Sequence, residues 1–137
     1  MDDVIKFGKR SQNFFELSPF YFCTFVIDRK KWRTLIHYWV ASYFKNSNEM
    51  REIIRNLDTP DRALRVGSKH GLESFSQIDS KEIIHAMQER FNQNDSLRSI
   101  LLSTGLSYLE YDGPGFLADE NRYGRLLMKM REIYAAE

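Results

Sequence analysis

The chain has 137 residues, of which 42% are hydrophobic and 14% are aromatic. This apolar content is too high for a disordered chain and suits one buried core, so a single globular domain over residues 1–137 is predicted. The formal net charge of +1 excludes a whole-protein field that would recruit nucleic acid or anionic lipid. Any partner must therefore be recognised locally.

Three sequence features bear on the compartment and on cofactors. Cys23 is the single cysteine, which excludes an internal disulfide and favours a cytoplasmic or other reducing intracellular location. We expect neither a secretory signal nor membrane insertion, because the longest apolar run, residues 19–27, is too short to cross a bilayer of about 30 Å. No metal or cofactor is expected, since no zinc, Walker or dinucleotide-binding spacing occurs.

The first third of the chain predicts a short strand, a β-hairpin and a core helix. A short strand at residues 4–7 is followed by an aromatic, β-branched strand at 20–27. Asp28-Arg29-Lys30 is the predicted turn to a return strand at 31–33, and its basic residues are typical of a solvated turn rather than of a nucleic-acid site. Thr34 then caps a helix whose apolar residues form one broad face: Ile36, Trp39, Val40, Tyr43 and Phe44.

The rest of the chain predicts four more helices, a strand and a last helix. The helices cover residues 48–57, from Pro60 (capped by Thr59) to Gly67, from a cap at Asp79 or Ser80 to Phe91, and from a cap at Asp95 or Ser96 to Thr104-Gly105. A strand at 106–111, the turn Asp112-Gly113-Pro114-Gly115 and a helix from about Asp119 or Glu120 complete the chain. The fold class is α+β, mainly helical, with about six helices around a small β hairpin or sheet.

An ordered set of short motifs resembles the NADAR (YbiA-like) family. Members of that family have a Phe-Ser-Asn-Phe turn, a hairpin, and then Ser-Glu-His-Tyr-x-x-x-x-Lys-Phe on a helix. The corresponding stretches here are Leu17-Ser18-Pro19-Phe20, Ile36-His37-Tyr38 and Tyr43-Phe44. Later stretches also match the family in order and spacing: Arg90-Phe91-Asn92-Gln93, Thr104-Gly105, and Asn121 to Met128 with Arg131.

The resemblance implies an activity as well as a fold. Enzymes of the family hydrolyse N-glycosidic bonds of riboflavin-pathway intermediates or remove ADP-ribose from guanine. If such a pocket is retained in this chain, we expect it to be bounded by four ligand-binding residues: His37, Tyr38, Asp112 and Asn121.

The positions that depart from the family are those that carry its pocket charges. Ile36 replaces the acidic residue and Tyr43 replaces the lysine, about 10 Å apart on one helix face. Phe75 stands for a family tryptophan, and the loop before the last helix is shortened to residues 112–116. These changes predict a cleft filled with hydrocarbon and no catalytic residue.

Three functions follow from this pattern. The first is a pseudo-enzyme of the NADAR fold that serves as a non-enzymatic binding or structural subunit, with protein partners in a larger assembly. The second is an N-glycoside hydrolase that acts on ADP-ribosylated or ribosyl-phosphate substrates through a rearranged site, with Asp112 or Glu110 as the carboxylate. The third is a binder of ADP-ribose or a similar nucleotide without turnover. The structural alternatives are an ordinary turn residue at Asp112 and a core histidine at His37.

Overall fold

The computed structural model describes residues 3–113 and 119–137. This part of the chain is mainly helical, with six α-helices and four short β-strands, as predicted. None of the described helices is long and apolar enough to cross a membrane. The elements are, in chain order, β1 (Val4–Phe7), β2 (Phe25–Ile27), β3 (Lys30–Trp32), α1 (Leu35–Tyr43), α2 (Asn48–Arg55), α3 (Pro60–Lys69), α4 (Ser80–Gln93), α5 (Asp95–Ser103), β4 (Tyr108–Tyr111) and α6 (Arg122–Ala135).

The chain divides into two compact units. The central unit, residues 19–94, contains the β2–β3 hairpin and helices α1 to α4. The terminal unit, residues 1–18 and 95–137, contains the β1–β4 pair and helices α5 and α6. A single domain over residues 1–137 stays a prediction.

The hairpin of the central unit is shorter than predicted. Its strands pair antiparallel, with Phe25 opposite Trp32. Asp28 and Arg29 have φ angles of 53° and 67°, as in the two-residue type I′ turn whose twist matches that of the flanking strands. Lys30 is therefore a strand residue and not a turn residue, and the residues before Phe25 lie outside the strand.

Helix α1 is the core of the central unit. Thr34 caps it as predicted, because its Oγ1 accepts the backbone N–H of His37 at 3.2 Å. Every residue from Leu35 to Ser42 is buried, and α2, α3 and α4 all pack against the helix. The prediction of one apolar face was therefore incomplete. The residues on the other side of the helix, including His37 and Ser42, are buried as well, as in a helix that other elements cover on all sides.

Gly67 does not end α3, which continues to Lys69. A Cβ atom at Gly67 would lie 2.9 Å from the Leu72 side chain and 3.0 Å from Val40 on α1. The glycine is therefore needed for close packing and not as a helix stop. Helix α4 starts at the predicted Asp79 cap and runs two residues past the predicted end at Phe91.

The terminal unit is built on a parallel pair of strands. Val4 of β1 lies opposite Tyr108 of β4, and Phe7 lies opposite Tyr111. Strand β4 begins two residues later than predicted, and the Pro114, Gly115 and Phe116 of the predicted turn and loop lie outside the described residues.

Helix α6 starts at Arg122 and not at residue 119 or 120, because Asn121 has left-handed backbone angles, with φ of 53°. The helix lies close to β4 at Gly124, where a Cβ atom would collide with the Leu109 carbonyl oxygen. Tyr123 is fully buried and donates its hydroxyl to the Leu17 carbonyl. The position of α6 is therefore fixed by a glycine contact on one strand and a buried tyrosine.

Candidate functional site

Three of the positions that are expected to depart from the NADAR pattern, Ile36, Tyr43 and Phe75, lie in the central unit. Ile36 is 1% exposed and Phe75 is 2% exposed. The Phe75 ring packs edge-to-face on Trp39, with 5.2 Å between ring centroids. Tyr43 is half-buried and donates its hydroxyl to the His70 carbonyl at 2.7 Å. Phe75 and Tyr43 are thus held by contacts within the central unit, and Ile36 is buried.

His37 is fully buried, with both ring nitrogens engaged. Nε2 lies 2.9 Å from the Leu57 carbonyl oxygen, which only accepts, so Nε2 carries the proton. Nδ1 then accepts the Thr34 hydroxyl at 2.7 Å. Burial lowers the pKa of His37, against the effect of the Leu57 hydrogen bond. The ring is a neutral link between the start of α1 and the end of α2.

Tyr38 turns its hydroxyl toward α4, where it donates to Glu82 Oε2 at 3.0 Å. Burial raises the pKa of Tyr38 far above its usual value, and the charge of Glu82 adds to that effect. The ring packs edge-to-face with Trp32, with centroids 4.9 Å apart. Tyr38 therefore stays protonated, and its hydroxyl proton is already donated in the hydrogen bond to Glu82.

A cavity of about 110 Å³ lies beside Tyr38. Its polar wall combines two cations and two carboxylates, and Glu52 is paired with Lys30 at 3.0 Å and with Arg55 at 2.7 Å. The hydrogen bond from Arg55, followed by that from Lys30, lowers the pKa of Glu52 to about 2. The lining residues are Ile27, Asp28, Lys30, Trp32, Tyr38, Asn48, Arg51 and Glu52.

Asp112 lies in the terminal unit, directly after β4. Its Oδ2 accepts from Gln12 Nε2 at 3.1 Å and lies 3.4 Å from Lys9 Nζ. The Gln12 hydrogen bond lowers the pKa of Asp112, helped by the charge of Lys9. The side chain is 41% exposed. It is an ionised surface carboxylate, which suits an electrostatic role and not proton donation near neutral pH.

Asn121 also lies in the terminal unit, with its side chain on the free edge of β4. Oδ1 accepts the Tyr111 backbone N–H at 2.8 Å, and Nδ2 donates to the Leu109 carbonyl at 2.8 Å. Nδ2 also lies 3.1 Å from the Tyr108 hydroxyl. The amide thus takes the place of a neighbouring strand, and its donors and acceptors are occupied.

The four predicted ligand-binding residues therefore fall into two pairs. His37 and Tyr38 are neighbours on α1, but one bonds toward Leu57 and the other toward Glu82. Asp112 and Asn121 share no hydrogen-bond partner. Within each unit, the two members of the pair make their hydrogen bonds with different partners, and a ligand held between them stays a prediction.

Two polar side chains of α4 were not anticipated from the sequence. Gln93 pairs with both backbone groups of Val26 on the edge of β2, at 2.7 and 2.9 Å. Arg90 is fully buried, and its guanidinium lies 6.0 Å from the centre of the Phe91 ring. Both belong to the Arg90-Phe91-Asn92-Gln93 stretch, so the match of that stretch to the family motif was the available signal.

A second concave region lies along α6 in the terminal unit. This groove has a volume of about 530 Å³, which is in the range of small-molecule sites. Its charged side chains are three cations and one carboxylate, so it suits an anionic ligand better than a cationic one. The lining residues are Arg122, Arg125, Leu126, Met128, Lys129 and Glu132.

No group of three or more His, Cys, Asp and Glu residues within 3–113 and 119–137 is arranged to hold a metal ion.

Comparison with known proteins finds a similarity at the level of the fold. No model of a protein family matches the sequence, and no curated protein does. The fold is similar to that in the NMR structure of the E. coli protein YbiA, with a TM-score of 0.80 and 28% sequence identity. The match covers 99% of this chain and 87% of the YbiA chain. The chain therefore has the YbiA-like α+β fold that its motifs predict.

Proposed function

We propose that this chain is a YbiA-like protein that has lost N-glycosidase activity and acts as a binding or structural subunit. The observation that carries the proposal is Ile36. The NADAR pattern has a carboxylate at this position, and here a 1% exposed hydrocarbon side chain fills it.

The chemistry explains why this position matters. Cleavage of an N-glycosidic bond develops positive charge on the ribose carbon, which a carboxylate stabilises while another group activates water. Isoleucine does neither. General acid–base catalysis alone contributes about 10²- to 10⁴-fold in rate, so the loss of the acidic residue together with the lysine at position 43 removes most of the rate enhancement.

The polar side chains that follow Ile36 on α1 already have hydrogen-bond partners within the central unit. His37 uses both ring nitrogens in the core, and the Tyr38 hydroxyl is bonded to Glu82. The cavity beside Tyr38, about 110 Å³, is far below the roughly 300–1,000 Å³ of a small-molecule site. These features favour a filled cleft rather than a rearranged hydrolase that uses His37 and Tyr38.

A binding role is supported by apolar side chains on the surface of the terminal unit. Leu106 is 88% exposed, Val4 is 57% exposed and Tyr108 is 41% exposed. Val4 and Tyr108 are paired neighbours in the sheet, and Leu106 comes two residues before Tyr108. Clustered apolar surface of this kind is typical of a protein–protein interface.

Titration calorimetry with ADP-ribose tests the proposal. We expect the dissociation constant for ADP-ribose to be about 1 mM or weaker, as a few weak contacts would give. A second candidate, a nucleotide binder without turnover, is favoured by the three cations of the α6 groove. Micromolar binding that weakens in Arg125→Gln, but not in Arg65→Gln at an exposed position of α3 in the central unit, would establish that candidate and contradict the subunit role.

A further inference from the structure

Strand β1 has one edge that pairs with β4 and one that does not. The backbone N–H of Tyr108 donates to the Asp3 carbonyl at 2.8 Å, and that of Asp112 donates to the Phe7 carbonyl at 2.6 Å. In a parallel ladder these two bonds place the backbone groups of every second residue of β1 toward β4. The N–H and C=O groups of Val4 and Lys6 therefore point away from it.

The outer edge of the partner strand is closed. Leu109 donates its N–H to Met128 Sδ at 3.4 Å, and the Asn121 amide covers the Leu109 carbonyl and the Tyr111 N–H. No residue within 3–113 and 119–137 forms such hydrogen bonds with the outward-pointing backbone groups of β1. Val4 is 57% exposed, and the Lys6 side chain is 63% exposed. Among the described residues, the outer edge of β1 is thus left open, and a further strand can pair with it.

We propose that β1 pairs antiparallel with β1 of a second copy of this chain, about a two-fold axis through Ile5. In this register, Val4 lies opposite Lys6 of the second copy. Opposed residues of an antiparallel pair exchange both of their hydrogen bonds, so the two Val4–Lys6 pairs use all the free groups. The β4–β1 pairs of the two copies become one four-stranded sheet, which is more stable than a two-stranded one.

Two features favour a second copy over an unrelated extended peptide. The free residues are complementary to themselves about Ile5, as an isologous two-fold interface requires. The charges at the ends of the strand are also opposite, since Asp3 precedes β1 whereas Lys9 and Arg10 follow it. Lys9 is also paired with Asp112 at 3.4 Å, but its side chain stays 58% exposed. An antiparallel copy brings each acidic end to a basic end. This inference does not depend on the loss of catalysis.

Sedimentation equilibrium of the full chain tests the interface. The area involved is small, so we expect association over about 10 μM to about 1 mM, with the mass rising from 16.3 kDa toward twice that value. Lys6→Pro removes a free N–H that does not face β4, a placement that edge strands tolerate. This variant should stay monomeric, whereas Lys6→Ala, which keeps the N–H, should associate as the wild type does.

Hydrogen exchange of the wild type gives a second readout that needs no variant. The amides of Val4 and Lys6 should exchange rapidly in dilute solution and become protected as the concentration rises. A monomer at every concentration, association of Lys6→Pro equal to that of the wild type, or protection that does not depend on concentration would each overturn the proposal. If Lys6→Pro does not fold, the exchange result decides.

Discussion

Introducing a carboxylate at position 36 by Ile36→Glu is expected to destabilise the protein strongly. Ile36 is 1% exposed on a helix whose residues from Leu35 to Ser42 are all buried. A carboxyl group introduced there enters a packed apolar environment without a hydrogen-bond partner provided for it. The stability of this variant therefore reports whether position 36 faces a filled core or an open pocket.

The size of the effect follows from two contributions. Loss of the buried isoleucine costs about 1.5–3 kcal/mol, and burial of an unpaired carboxyl costs about 1–3 kcal/mol more. The sum is about 4 kcal/mol, which for a chain of this size lowers the melting temperature by about 10–20 °C. Ile36→Val, which removes one methylene group, should cost only about 0.5–1.5 kcal/mol.

The difference in stability between Ile36→Glu and the wild type should also depend on pH in a defined direction. Burial raises the pKa of a carboxyl group, so the introduced group binds its proton more tightly in the folded than in the unfolded protein. The variant should thus be closest to the wild type below about pH 4, the ordinary carboxyl pKa, and fall further behind as the pH rises.

Urea denaturation of both variants and the wild type at pH 4, 6 and 8, followed by circular dichroism, measures the effect. A midpoint for Ile36→Glu equal to that of Ile36→Val at pH 8 would refute the reasoning. Position 36 would then face solvent or a polar pocket, and the cleft would be open.

Two further predictions concern side chains that hold each unit together. Because burial lowers the pKa of His37, the unfolded chain takes up a proton at higher pH than the folded one, and stability should fall as the pH drops below about 6.5. Urea midpoints at pH 7.5 and 5.5 should therefore differ less in His37→Gln than in the wild type, and equal differences would contradict a buried neutral ring. Asn121→Ala removes the amide from the edge of β4 and should cost about 1–3 kcal/mol, measured as a shift in the same midpoint. Asn92→Ala, at an exposed position of α4, should have little effect, and equal losses in the two variants would rule out a special role for the Asn121 amide.

The features that the sequence predicted well are those that depend on a few adjacent residues. A threonine hydroxyl three residues before a backbone N–H caps α1 at Thr34 and α3 at Thr59, and Pro60 begins α3 as expected. These signals are local in the chain, so no knowledge of tertiary packing is needed to interpret them. Gly67 shows the limit, because a glycine can mark a helix end or a close contact, and only the position of Val40 and Leu72 distinguishes the two.

The polar groups of the candidate sites depend on residues far apart in the chain. Gln93 binds the backbone of Val26, 67 positions away, and nothing in either stretch alone indicates that pairing. Arg90 lies on the inner face of α4 among apolar residues, where a cation is not expected on grounds of burial. The family motifs located the important stretches, whereas the partner of each side chain required the fold.

The most direct test of the central claim is a single-turnover assay with the wild-type chain in excess over guanine-linked ADP-ribose, and separately over a riboflavin-pathway N-glycoside. A filled cleft predicts release of the base at the rate of the protein-free control. Faster release by the wild-type chain that is lost in Asp112→Asn would contradict the account and establish a rearranged hydrolase.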